Sequence, residues 1–506
     1  MGFTFSTLDI VLIFLFILLN CAVAFSTRSI VRDFDSYASG QNENYSGLTI
    51  VSSIAALACS ASLFFIGMPE ICKGGFLFIW MYFFTEVIFT LLMIFIYIPK
   101  IIKIKTYSLH EYISRMYNND KTIRFVFAFC EIIQRIGRFA VQIKIIGIIA
   151  QIVFDLKSQD NSVLYMITAL MILYACFGGL KAVSHTDIAQ SFIFMLGIPI
   201  LSIVLWYKTG DHSGFYDILN GGVEKFRTSS MISSNQTILI AMSSLLFKII
   251  GWPIVITLFQ RVRMCKEVKR AQKLWGIGMV AYLFIILTIV FIGVQMAGIN
   301  NFDPKTDNGV IVQNMLYIIN NGTLSLLFFF CIVCLSFSTA DSEFNAISVL
   351  FANDIFGCVF KKWNKNKFVG NIVSIIACLI ALVLSLNFDD IFKLYFSVTN
   401  IYYPIAAMPL FLTIMGFKTY LPAIKTGAVV GFVTTAACMI ISKYTNSGNA
   451  AIFSFGPGML ASLIAILLVH YYYKNVLKKE ITCITQEDFD SLQPTIEKIK
   501  MRHIQK

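Results

Sequence analysis

Charge is scarce in this sequence. Of its 506 residues only 13% are Asp, Glu, Lys or Arg, and the acids are rarer than the bases, 28 against 40. A soluble globular protein carries about a quarter of its residues charged, so the chain lacks the groups to give a water-facing surface to so long a polypeptide. Histidine occurs five times and without clustering, so a structural zinc site is not expected. A P-loop lysine motif is missing, which speaks against an ATP-driven pump, and no nucleophile–base pair or metal constellation marks an enzyme. The twelve cysteines are scattered through apolar stretches. Cys331 and Cys334 form a C-x-x-C with no second pair to complete a metal site, and read as small packing residues on one helix face.

What is abundant is hydrophobicity, 57% of residues, arranged in blocks of about 20 that recur from end to end. The expected fold class is an all-α polytopic membrane protein. The blocks fall at 8–27, 48–68, 76–98, 124–154, 161–177, 185–207, 236–258, 274–298, 314–352, 369–387, 390–415, 424–443 and 451–474, about thirteen transmembrane helices in all. The net charge of +12 resides in alternate loops: Arg28 and Arg32, Lys100 to Lys121, Arg261 to Lys273, Lys361 to Lys367, and the tail. The intervening loops at 208–235, 299–313 and 444–450 are nearly free of Lys and Arg. The positive-inside rule therefore puts the N-terminus outside and the C-terminus in the cytoplasm, in the plasma (inner) membrane. The basic charge is topological, and no nucleic-acid partner is expected. Ala22-Val23-Ala24 mimics a signal-peptide cleavage site, but Asp9 precedes the apolar block and Arg28 follows it, so an uncleaved anchor fits better.

The domain reading is one transporter-like membrane domain over 1–475, with a cytoplasmic tail at 476–506. Two spans are interrupted. The second contains the small-residue run Ala55 to Ser62, and the seventh contains Lys248, Gly251, Trp252 and Pro253. Interrupted helices at matching places in two halves point to an inverted-repeat secondary transporter. With 8–27 set aside as an extra N-terminal helix, 48–207 and 236–415 become two five-helix repeats of opposite topology, and 424–474 holds extra C-terminal helices. The ninth apolar run carries Ser338, Asp341, Ser342 and Asn345 on one stripe, with Thr339 beside it. A carboxylate at the bilayer centre costs several kcal/mol, so this stripe faces protein or water. It marks a pathway or site, or else hydrogen-bonds a neighbouring helix and no more.

Several motifs carry a resemblance to the sodium:solute symporter family. Phe177-Gly178-Gly179-Leu180-Lys181-Ala182-Val183 with Thr186-Asp187-Ile188-Ala189-Gln190 is similar to the family's G-G-x-x-A-V…T-D-x-x-Q block. Gln260-Arg261 resembles its Q-R loop, Ser338-Thr339 with Asn345 and Asp354-Ile355-Phe356 its ion-site helix, and Tyr403-Pro404, Met415-Gly416-Phe417 and Gly427-Ala428 the segment after the core. The resemblance implies a symporter that imports a small polar organic solute with Na⁺ by alternating access, the coupling ion being Na⁺ with no organic cofactor. It implies a Na⁺ site formed by the backbone carbonyls of Leu57, Ser60 and Leu335 and the hydroxyls of Ser338 and Thr339. A hard cation seeks oxygen, and an unwound helix offers carbonyls that are not used in its ladder. Asp187 falls at an acidic position tied to a further ion or to coupling. With Asp341 and Ser342 it forms a candidate second cation site or protonatable pair, Asp341 standing where the two-sodium carriers usually have serine. Alternatively, Asp187 caps a helix start.

For the solute, Glu86, Arg138, Gln142, Lys248 and Trp252 are the candidate binding residues. Glu86 falls where sugar-carrying relatives place a glutamate, whereas an arginine at mid-membrane suits a carboxylate, whose two oxygens its planar fork can bind. An amino acid or other carboxylate is favoured, with a sugar as the other option. The opposing reading is an ion pair from Glu86 to Arg138 or Lys248 that merely joins helices. Glu131 and Arg135, at i and i+4, read as a structural pair. Partners are the solute and membrane lipid, a monomer being functionally sufficient. A proton-coupled carrier, a transporter-like sensor and a channel remain alternatives from other classes.

Overall fold

The computed structural model describes residues 34–38, 45–155, 162–175, 179–299, 305–360, 364–388, 390–444 and 452–481. The span expected over 8–27, Phe177, Gly178 and most of the 476–506 tail lie outside them. Among the described residues every regular element is a helix. That is what hydrocarbon demands, because a spanning segment must satisfy its own backbone N–H and C=O groups.

Among the described residues eleven helices are long and apolar enough to cross a membrane. A short helix α1, Phe34–Ala38, precedes the expected first repeat. That repeat comprises α2 (Gly47–Gly74) and α3 (Phe76–Ile101), the connecting helix α4 (Leu109–Met116), then α5 (Lys121–Phe154), α6 (Ser162–Ala175) and α7 (Gly179–Thr209). The second comprises α8 (Asn235–Ile254) with its continuation α9 (Ile256–Arg263), α10 (Val268–Ile299), the short α11 (Asn308–Ile319), α12 (Gly322–Val359), α13 (Lys367–Asn387) and α14 (Ile391–Met415). Helices α15 (Leu421–Tyr444) and α16 (Phe455–Val476) pack on each other and on α14. Lipid-type surface remains on the periphery, where Phe95, Leu196 and Val280 are exposed.

One expected span is corrected. The run 314–352 is not a single helix, because Asn320 adopts φ 41°, a left-handed cap, and the Asn321 side chain accepts from Leu324 N. Two consecutive asparagines thus end α11 and start α12.

Both interruptions are real and local. In α2 the first helical stretch stops at Ala58, and Cys59 is extended at φ −82°, ψ 107°. Small side chains there let neighbouring helices approach the bared backbone, while the Ser60 and Ser62 hydroxyls pair at 2.6 Å. In α8 a 3-10 turn at Trp252–Ile254 leads to Val255, extended at φ −77°, ψ 143°, before α9 resumes. Pro253 has no N–H to give to a helical ladder. The first orphan donor of α9, Ile256 N, is taken by Glu131 Oε1 of α5 at 2.9 Å. The turn from α2 to α3 needs Gly75, at φ 63°, where a Cβ would lie 2.2 Å from the Lys225 carbonyl oxygen.

Candidate functional site

The two interruptions and α12 converge on the middle of the bundle. Ser338 Oγ donates to Asp187 Oδ1 at 2.6 Å, and Ser53 Oγ of α2 donates to Asp187 Oδ2 at 2.7 Å. Asp187 lies well inside α7 and caps no helix start. With its proton committed to Asp187, the Ser338 hydroxyl keeps its lone pairs for another partner. Thr339 Oγ1 donates to the Leu335 carbonyl at 2.9 Å, and the Ser60 carbonyl accepts from Leu63 N at 2.9 Å. Each of these carbonyls has a second lone pair. The five expected Na⁺ ligands thus sit on α2 beside its break and on the buried middle of α12, which packs against α2.

The candidate second site is already held by a cation of the protein itself. Arg261 of α9, wholly buried, donates from Nη2 to Ser342 Oγ at 2.6 Å and from Nε to Ser53 Oγ at 3.1 Å. Its Nη2 lies 3.7 Å from Asp187 Oδ2. Ser342 Oγ in turn donates to the Ser338 carbonyl at 2.9 Å. Asp341 is buried on the same helix. Asn345, one turn on, accepts from Gln260 Nε2 at 3.0 Å and donates to the Tyr37 carbonyl at 3.3 Å.

Beside the expected ion position lies a void of about 690 Å³, mouth included, which Ser60, Glu86, Arg138, Lys248, Trp252 and Tyr395 help to line. Four of the five residues expected to bind solute are brought together here. Gln142, one turn beyond Arg138 and buried, is not among the lining residues. Glu86 Oε1 contacts Lys248 Nζ and accepts from Tyr282 OH at 2.7 Å. Its Oε2 has no hydrogen-bond partner among the described residues. Arg138 lies over the ring of Trp252, 4.8 Å from the centroid, and 5.8 Å from that of Tyr395. These are cation–π distances, and the rings keep the guanidinium at the cavity wall.

Behind Arg138 stands a buried ladder of charge. Glu131, Arg135 and Arg138 share one face of α5 at i, i+4 and i+7. Arg138 Nε is 3.2 Å from Glu343 Oε1. Arg135 Nη1 donates to both oxygens of Glu343, at 3.1 and 2.9 Å, and its Nη2 to Glu131 Oε1 at 2.9 Å. His110 Nε2 completes the series 2.7 Å from Glu131 Oε2. Sequence reading found the Glu131–Arg135 pair but missed Glu343, Arg261, Tyr282 and Tyr395 as site residues. Glu343 adjoins the polar stripe of α12, and Arg261 was visible only as a loop motif.

A model of the sodium:solute symporter family matches residues 41–434. The high-affinity proline transporter PutP of Bacillus subtilis (strain 168) is 24% identical over 353 residues, covering 66% of this chain and 69% of the relative. The osmoregulated proline transporter OpuE of the same organism is 24% identical over 334 residues, 62% of this chain, which spans 64% of that relative's length. In structure the chain resembles a Na⁺-coupled sialic acid symporter, with a TM-score of 0.75 at 18% identity over 92% of this chain and 98% of the other. At that identity the likeness is one of fold. The family match, by contrast, runs through most of the sequence, and the chain belongs to the sodium:solute symporter family.

Proposed function

We propose that this chain imports a small polar solute bearing a carboxylate, an amino acid or a comparable acid, together with Na⁺, and that it does so across the plasma membrane with its basic end toward the cytoplasm. One observation carries the choice of solute. Arg138 presents its guanidinium to the cavity between two aromatic rings, and its Nη1 has no hydrogen-bond partner among the described residues. A carboxylate meets that fork with two oxygens. A neutral sugar would leave a buried cation's N–H unpaired, which is costly. Across the cavity, Glu86 Oε2 awaits a donor such as an ammonium or a hydroxyl. Lys248 is neutralised by Glu86, so it orients that acid and adds no second anion site. The proline and sialic acid named for the relatives are both carboxylates.

Na⁺ takes the carbonyls of Leu57, Ser60 and Leu335 and the hydroxyls of Ser338 and Thr339. Ser60 lines the solute cavity as well, so ion and solute organise the same interrupted stretch of α2, each favouring the other's binding. A further cation or shared proton at Asp187, Asp341 and Ser342 requires the Arg261 guanidinium to withdraw first.

The test is uptake into proteoliposomes from a panel of amino acids, other carboxylates and sugars, with Na⁺ or K⁺ outside and with a pH gradient alone. Na⁺-dependent uptake confined to carboxylates is expected. Arg138→Lys keeps the charge but loses the fork, and it raises the solute KM at least about tenfold. Uptake of neutral sugars, or uptake driven by the pH gradient without Na⁺, overturns the reading.

A further inference from the structure

We infer that Arg261 is a tethered cation that alternates with Na⁺ as the counter-charge of Asp187, and that its return to Asp187 closes the cytoplasmic end once Na⁺ has left. The inference rests on reading Ser338 as a Na⁺ ligand. Asp187 is completely buried, and among the described residues Arg261 is the one cation within 4.0 Å of it. A carboxylate so placed needs a positive charge at every stage of the cycle.

The manner of contact fits a pairing that comes apart. Arginine–carboxylate pairs are frequently closed by direct, often bidentate, hydrogen bonds. Here each oxygen of Asp187 already accepts one hydrogen bond, from Ser338 and from Ser53. Arg261 spends its hydrogen bonds on Ser342 and Ser53 and meets Asp187 through charge alone, at 3.7 Å. Its Nη1 is buried with no partner among the described residues. Arg261 also rides on α9, the segment released by the break at Val255, whereas Asp187 and Ser342 belong to α7 and α12.

A Na⁺ ion on Ser338 sits one hydrogen bond from Asp187. Two cations then share one carboxylate in a low-dielectric interior, and their repulsion amounts to roughly one to two orders of magnitude in affinity. Binding of Na⁺ therefore weakens the hold of Arg261 and frees α9 to move. Departure of Na⁺ to the cytoplasm bares Asp187, which draws Arg261 back. By linkage, whatever Na⁺ does to Arg261, Arg261 does to Na⁺.

The test compares the full-length protein with Arg261→Gln, reading equilibrium ²²Na⁺ binding in detergent, then net uptake and solute exchange in proteoliposomes. Removing the competitor should tighten Na⁺ binding about tenfold. It should also lower the ratio of net uptake to exchange about fivefold, because only net uptake requires the empty carrier to close. Unchanged or weaker Na⁺ binding, or net uptake and exchange falling in proportion, overturns the proposal. Ser342→Ala keeps every charge and removes the 2.6 Å bond that seats Arg261, together with the Ser342 bond to the Ser338 carbonyl within α12, so it serves if Arg261→Gln does not fold. It should tighten Na⁺ about threefold, and weaker binding would make Ser342 an ion ligand and sink the proposal. Absence of Na⁺ binding to the unmodified protein overturns the ion-site reading and this inference with it, whereas Na⁺ binding that neither variant shifts overturns the inference alone.

Discussion

At the scale of residues, the site is a set of buried charges that hold one another in place, and Glu343 is the one with most depending on it. It meets Arg135 through both oxygens and Arg138 through one, sharing a single negative charge between them. Glu343→Gln leaves two guanidinium groups with Glu131 as the one carboxylate still in contact with them among the described residues. Breaking a buried pair from one side costs about 3–5 kcal/mol, so a large fall in the thermal unfolding temperature in detergent is expected, and a shift within error would show that the ladder contributes little. The sequence made Arg138, Lys248 and Glu86 legible because ionisable residues in apolar runs are rare and need a reason. Which acid meets which base was not legible. Arg135 and Glu343 are 208 positions apart, and Glu86 and Lys248 are 162, distances over which helical periodicity carries no information.

At the scale of elements, the interruptions of α2 and α8 were readable from composition, since small residues beside Ser60 and the Gly251-Trp252-Pro253 turn disfavour a continuous ladder. The connecting helix α4 was not, because its burial against α5 comes from tertiary packing and its sequence reads as a polar loop. Its anchor is Glu111, which accepts from Tyr107 N and Asn353 Nδ2, each at 3.1 Å, and pairs with Arg115 and, at 3.9 Å, Arg124. Burial alone would raise the Glu111 carboxyl, but the two arginines and the hydrogen bonds outweigh it and hold it below the ordinary carboxylate value of 4.5. A carboxyl depressed on folding contributes stability that is fully present above its unfolded pKa and is lost as pH falls through its folded one. Thermal stability should therefore decline as the buffer passes from pH 7 to below about pH 4, and Glu111→Gln should remove part of that slope. An identical slope in the variant would assign the acid sensitivity to other carboxylates.

At the scale of the whole molecule, the two ends are unlike. The non-basic end opens on a polar hollow whose walls include Glu70, Lys73, Asp307 and Lys393, whereas the basic end is tied shut. Gln260 of α9 bonds both Asn345 of α12 and the Ala38 carbonyl of α1, Tyr37 OH donates to Asn371 Oδ1 of α13 at 2.6 Å, and Arg263 reaches the Thr106 carbonyl. On the orientation proposed above, with the basic end in the cytoplasm, this is a carrier closed on its inner side. Inward opening then requires α9 to part from α1 and α12, and Gln260 is the residue that touches both. Each net hydrogen bond contributes about 0.5–1.5 kcal/mol. Gln260→Ala removes two, which shifts the balance toward the inward state by roughly tenfold if the lost bonds are not replaced by water. Cys59, wholly buried at the break of α2, reports the change. In a variant whose other cysteines are replaced, it should react about tenfold faster with a charged thiol reagent applied from the cytoplasmic side once Gln260→Ala is introduced, and saturating Na⁺ with solute should narrow the gap by opening both proteins. An equal rate in the two would mean that the seal at the basic end lies elsewhere, in the Arg261 contacts and not in those of Gln260.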